Sequence, residues 1–103
     1  MDFKELMHKF YPNADIKMAE LYPYYDSAQS FYGKAHIFEI ENDVFLMSYD
    51  TIVAFYNRDT KIARVMDTYS ATTLRHIKEF LKQNGFKAKD KAQIERDYIK
   101  FDF

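Results

Sequence analysis

Apolar positions change their spacing along this chain. Phe3, Leu6, Met7 and Phe10 recur at helical spacing behind Asp2, a residue suited to an N-cap, so residues 2–10 are predicted to form a short helix that Pro12 and Asn13 end. Residues 14–21 read as a further short turn of helix. In Tyr22-Pro23-Tyr24-Tyr25-Asp26, Pro23 fixes its own φ and pushes Tyr22 toward extended backbone. The small polar residues 26–30 predict a loop. From Phe31 the period becomes two. Phe31, Lys34, His36, Phe38 and Ile40 suggest a strand with Ile37, Glu39 and Glu41 on its other side, and Gly33 marks a bulge or a close backbone approach. Turn signals at Glu41-Asn42-Asp43 and Asn57-Arg58-Asp59-Thr60 separate the apolar stretches 44–47, 51–56 and 61–66.

The period then returns to that of a helix. Ser70 precedes residues 71–84 and Gly85 follows them, the positions of an N-cap and of a left-handed C′ residue. Leu74, Ile77 and Leu81, with Ala71 and Phe80 beside them, form one apolar stripe that must pack on the sheet, because an isolated helix of this length is marginal. Residues 87–91 are charged and read as a linker. Asp90 can cap a last short helix with Ile94 and Tyr98 on one face, and residues 99–103 alternate like a short strand. The predicted architecture is α+β: an antiparallel three- to four-stranded β-meander packed against an amphipathic helix, with a short N-terminal helix and a short C-terminal helix. It is read as a single domain over 1–103, comprising an N-terminal helical and aromatic segment (1–30), the meander plus helix (31–86) and a C-terminal extension (87–103).

Composition narrows the function classes. The absence of Cys removes disulfides, thiolate chemistry and cysteine-ligated metals, and favours the cytoplasm. The beginning of the chain lacks a signal-peptide apolar core, and no apolar run approaches a membrane span. Ten Phe and nine Tyr are too many rings for so small a core, so some Tyr are expected on the surface, where they favour interfaces. Net charge is −1 but uneven: residues 1–70 hold 7 Lys/Arg against 11 Asp/Glu, and residues 71–103 hold 8 against 5. This is far from the basic excess of a dedicated DNA binder.

No catalytic, cofactor or metal site is predicted. His8, His36 and His76 stand in no metal-binding spacing and read as surface or half-buried imidazoles, and no nucleophile–base pair is recognisable. With only Gly33 and Gly85, no phosphate-cradling loop exists. Ser48-Tyr49-Asp50-Thr51 places polar groups inside an apolar run. It reads as a bulge or corner whose side chains bond freed backbone, more readily than as a site on the sheet. The hydroxyls of Tyr69-Ser70-Ala71-Thr72-Thr73 read as capping chemistry before they read as an anion site. Two surfaces stand out. Tyr22, Tyr24, Tyr25 and Asp26 flank Pro23 and form the first candidate for partner binding. Arg75, Lys78 and Lys82 on the helix are the alternative, a phosphate-contacting stripe for nucleic acid, with Glu79 and later acids balancing a solvated face.

The stretch 48–54 together with Tyr69-Ser70-Ala71-Thr72-Thr73-Leu74-Arg75-His76-Ile77-Lys78-Glu79-Phe80-Leu81 resembles a small uncharacterised family encoded by phages, plasmids and other mobile elements of Firmicutes. The resemblance covers residues 31–86. It implies no enzymatic activity. Through its genomic habit it implies a cytoplasmic protein of a bacterial host that binds a host protein or ribonucleoprotein, in the manner of type II anti-CRISPR inhibitors of Cas9.

Overall fold

A computed structural model describes residues 3–67 and 70–99. The elements run α1 (Phe3–Phe10), β1 (Ile16–Glu20), β2 (Ala35–Ile40), β3 (Asp43–Ser48), β4 (Thr51–Asn57), β5 (Ile62–Val65), α2 (Ala71–Gln83) and α3 (Lys91–Tyr98). The predicted cap at Asp2 and the alternating tail beyond Ile99 lie outside the described residues. The strands form one antiparallel sheet in the order β1-β2-β3-β4-β5, which is the expected meander with one strand more. The extra strand is β1. Residues 16–20 pair with residues 36–40 instead of coiling into a helical turn, so cross-strand bonding overrides their local preference.

The first predicted strand, which is β2 of the structure, begins later than its alternation suggests. Residues 31–34 form a turn in which Tyr32 and Gly33 both hold positive φ (55° and 73°) and the Lys34 N–H donates to the Phe31 carbonyl at 3.0 Å. Glycine supplies the left-handed conformation there without strain. Ser48 and Thr51 pair directly, so Tyr49-Asp50 is the tight turn of the β3–β4 hairpin and not a bulge or corner. The bulge lies two residues on: Leu46 faces Ala54 and Met47 faces Ile52, leaving Val53 as the extra residue.

One face of the sheet carries the larger core cluster, and Phe38 and Ile40 are buried on the other. Ala35, Val44, Leu46, Ala54, Ala63 and Val65 point to that cluster, and Ile77, Phe80 and Leu81 of α2 with Ile94 of α3 pack on them, all buried. Burying each large apolar side chain contributes about 1.5–3 kcal/mol. Both ends of α2 are built as the sequence predicts. The Ser70 hydroxyl accepts the Thr73 N–H at 3.3 Å. Gly85 (φ 82°) follows the C-cap Asn84; its N–H donates to the Lys82 carbonyl, and the Phe86 N–H donates to that of Leu81. This is a Schellman closure, with glycine at the left-handed position. Asp90 caps α3 through the Gln93 N–H at 2.9 Å. On the opposite face of the sheet, Tyr11 at the end of α1 donates its hydroxyl to Asp43 at 3.1 Å. No helix among the described residues is long and apolar enough to cross a membrane.

Candidate functional site

The loop joining β1 to β2 passes beside α2, and three α2 side chains hold it. Arg75, Glu79 and Gln83 recur at spacings of four, so they share one stripe of the helix. Glu79 sits at the centre and is 1% exposed. Its carboxylate accepts the backbone N–H groups of Tyr24 at 3.0 Å, Tyr25 at 2.9 Å and Asp26 at 2.9 Å. The Gln83 amide donates to the same carboxylate at 2.7 Å and to the Tyr22 carbonyl at 2.6 Å. Arg75 forms a two-pronged ion pair with Asp26, with Nε to Oδ2 at 2.9 Å, and Asp26 also accepts the Ala28 N–H at 2.9 Å. Successive N–H groups converging on one carboxylate make an anion nest, and the anion is the protein's own.

The electrostatics follow from that geometry. Burial pushes the Glu79 carboxyl pKa up, but the Gln83 amide and the three backbone N–H groups outweigh it, and the net shift is downward. The Arg75 guanidinium bonded to Asp26 holds that carboxyl at about 2, against burial. Both acids are therefore charged at neutral pH, Asp26 paired with a cation and Glu79 stabilised by neutral hydrogen-bond donors.

The backbone of residues 22–26 is thus fixed while its rings face outward. Tyr22, Tyr24 and Tyr25 are 53%, 79% and 62% exposed. The first predicted surface and its alternative are one place: a groove of about 420 Å³ is lined by Tyr25, Asp26 and Ser27 from the loop and by Arg75, Lys78, Glu79 and Lys82 from α2. Glu79 does not balance a solvated face, as expected from the sequence, because the loop folds over it. Arg75 is engaged by Asp26, which leaves Lys78 and Lys82 as the cations of the groove.

A second polar cluster lies behind the loop. Ser48 Oγ is 2.8 Å from His76 Nδ1 and 3.0 Å from Thr73 Oγ1, and Phe31 meets the His76 ring edge-on at 4.6 Å. His76 is buried, not a surface or half-buried imidazole as expected, and Ser48 bonds side chains of α2 instead of freed backbone. The pair is a hydroxyl and an imidazole in contact, which sequence reasoning missed. The available signal was Ser48 on a core-facing strand position together with Thr73 and His76 three residues apart on α2. Both groups are closed from solvent at 2% and 1% exposure, so a substrate has no approach and the cluster ties β3 to α2. Burial, with Arg75 nearby, lowers the His76 pKa from its ordinary 6.5 against the opposing pull of Asp26, which keeps the imidazole neutral at pH 7. Among the described residues no group of three or more His, Asp or Glu side chains is placed to hold a metal ion.

A protein-family model described as a family of unknown function, DUF8033, matches residues 19–96, more than half of the chain. The matched span contains the tyrosine loop, β2 to β5 and all of α2, and leaves out α1. No curated protein and no solved structure matches the chain.

Proposed function

The chain belongs to the DUF8033 family, whose function is unknown, and from its surface we propose a non-enzymatic protein that acts by binding another protein through the tyrosine loop seated on α2. The observation that carries this reading is the Glu79 clamp. Three backbone N–H groups are fixed on a buried carboxylate while the adjoining Tyr22, Tyr24 and Tyr25 rings stand in solvent. Tyrosine offers a large amphipathic contact area at a low entropic cost, and a backbone already ordered removes much of the remaining cost of association. Such rings are typical anchors of interfaces.

The resemblance to mobile-element proteins supports a specific partner, a Cas9-type effector or its guide ribonucleoprotein in the bacterial cytoplasm. The test is to mix the protein with Cas9 and guide RNA, follow gel filtration and measure DNA cleavage. The expected result is a stoichiometric complex and inhibited cleavage, both lost in the Tyr24→Ala/Tyr25→Ala double variant. No complex and unchanged cleavage reject this partner. The competing reading, nucleic-acid contact through Arg75, Lys78 and Lys82, draws support from the two lysines in the groove. It predicts binding to an oligonucleotide that weakens steeply with salt.

A further inference from the structure

The groove beside the tyrosine loop has an unbalanced charge. Of its charged lining, Asp26 is paired with Arg75, and Glu79 is enclosed by the Tyr24, Tyr25 and Asp26 N–H groups and Gln83. Lys78 and Lys82 remain, one helical turn apart on the same wall, and neither forms an ion pair among the described residues. Facing them are the exposed ring of Tyr25 and the exposed Ser27. Two ammonium groups at this spacing match one or two carboxylates, with an apolar neighbour able to lie on the ring. They are too few for a phosphate backbone, whose binding gains from many contacts, and the chain as a whole carries −1.

Resting on the protein-binding reading above, we propose that this groove receives an acidic segment of the partner, with Asp or Glu carboxylates between Lys78 and Lys82 and an adjacent apolar side chain against Tyr25. The clamp then has a second use. By occupying the loop amides and masking its own charge, Glu79 keeps a carboxylate at the floor of the groove from repelling an incoming one.

The experiment pans a display library of random short peptides against the full chain. The affinity of the best peptide is then measured for wild type, Lys78→Gln/Lys82→Gln, Lys78→Arg/Lys82→Arg and Tyr24→Ala/Tyr25→Ala, at low and high salt. The expected result is enrichment of Asp or Glu next to an apolar residue, a loss of about tenfold in the Gln variant with a flattened salt dependence, and recovery in the Arg variant. Thermal melting verifies that the variants are folded. Peptides without acidic enrichment, or an affinity untouched by Lys78→Gln/Lys82→Gln, overturn the proposal. If the tyrosine variant still abolishes such binding, the protein-binding reading stands without it. No enriched peptide counts against both. Displacement of the peptide by a single-stranded oligonucleotide that itself binds through the two lysines overturns the acidic-segment assignment in favour of nucleic acid.

Discussion

The Glu79 carboxylate and the Tyr25 backbone N–H form the joint between α2 and the tyrosine loop, with the N–H lying 2.9 Å from one carboxylate oxygen and 3.2 Å from the other. A helix residue and a loop residue distant in sequence meet there in a buried, charged hydrogen bond. That bond holds the backbone from which the outward rings project.

Replacing Glu79 by Gln keeps the size but turns one acceptor into a donor that faces backbone N–H groups. Leaving buried donors unsatisfied costs about 1–3 kcal/mol each, so E79Q is expected to lower unfolding stability by about 2 kcal/mol or more. Urea denaturation gives the loss. Hydrogen exchange at the Tyr24, Tyr25 and Asp26 amides is expected to accelerate well beyond that of the β3 and β4 amides. Equal acceleration everywhere would show that Glu79 supports the whole fold and does not set the loop specifically.

Asp26→Asn separates the rim from the joint. Its partner Arg75 is half exposed, and such pairs contribute little because water screens them. D26N is expected to lie much closer to wild type than E79Q in denaturation midpoint, while the three amide bonds to Glu79 persist.

Stability is expected to fall in two stages on acidification. The folded-state pKa of His76 lies below 6.5, so the unfolded chain takes up this proton first; folding is unpenalised above about pH 7 and loses stability as the pH drops below 6.5. The carboxyls of Glu79 and Asp26 are depressed below 4.5 and 3.8, Asp26 to about 2; their contribution is present above those values and is lost as the pH falls through the folded-state ones. Denaturation midpoints between pH 8 and pH 5 check the first stage. His76→Gln should be less stable at pH 8 and should flatten the slope between pH 7 and pH 5.

Ser48→Ala removes the hydroxyl shared by Thr73 and His76. Two buried polar groups then lose a partner, so a destabilisation of about 1–3 kcal/mol is expected, with no effect on partner binding beyond that of stability. Denaturation and a binding assay on the same preparation make the comparison.

How much of this was legible in the sequence depends on how local each cause is. The Ser70 cap, the Gly85 closure and the Asp90 cap are written within a few residues, and the structure has all three. The turns at 41–42 and 58–61 are equally local. β1 was misread because Lys17, Met18, Ala19 and Glu20 favour helix, whereas their pairing with β2 is settled by residues twenty positions away. Glu79 looked like one more charge on a polar helix face. Its burial depends on a loop more than fifty residues earlier, and no periodicity encodes that meeting. The tyrosine cluster was visible as composition around Pro23; that it shares a groove with Lys78 and Lys82 required the fold.

The central claim is that the tyrosine loop is a preformed contact surface. The most direct measurement is a quantitative pull-down from a nuclease-treated lysate of the proposed bacterial host, comparing wild type with Tyr24→Ala/Tyr25→Ala and with Tyr32→Ala, an equally exposed ring outside the clamp. All three proteins are expected to be within about 0.5 kcal/mol of one another in stability. The account predicts a specific protein recovered by wild type and by Tyr32→Ala and lost with the double variant. Recovery of the same protein by the double variant at wild-type yield would contradict it.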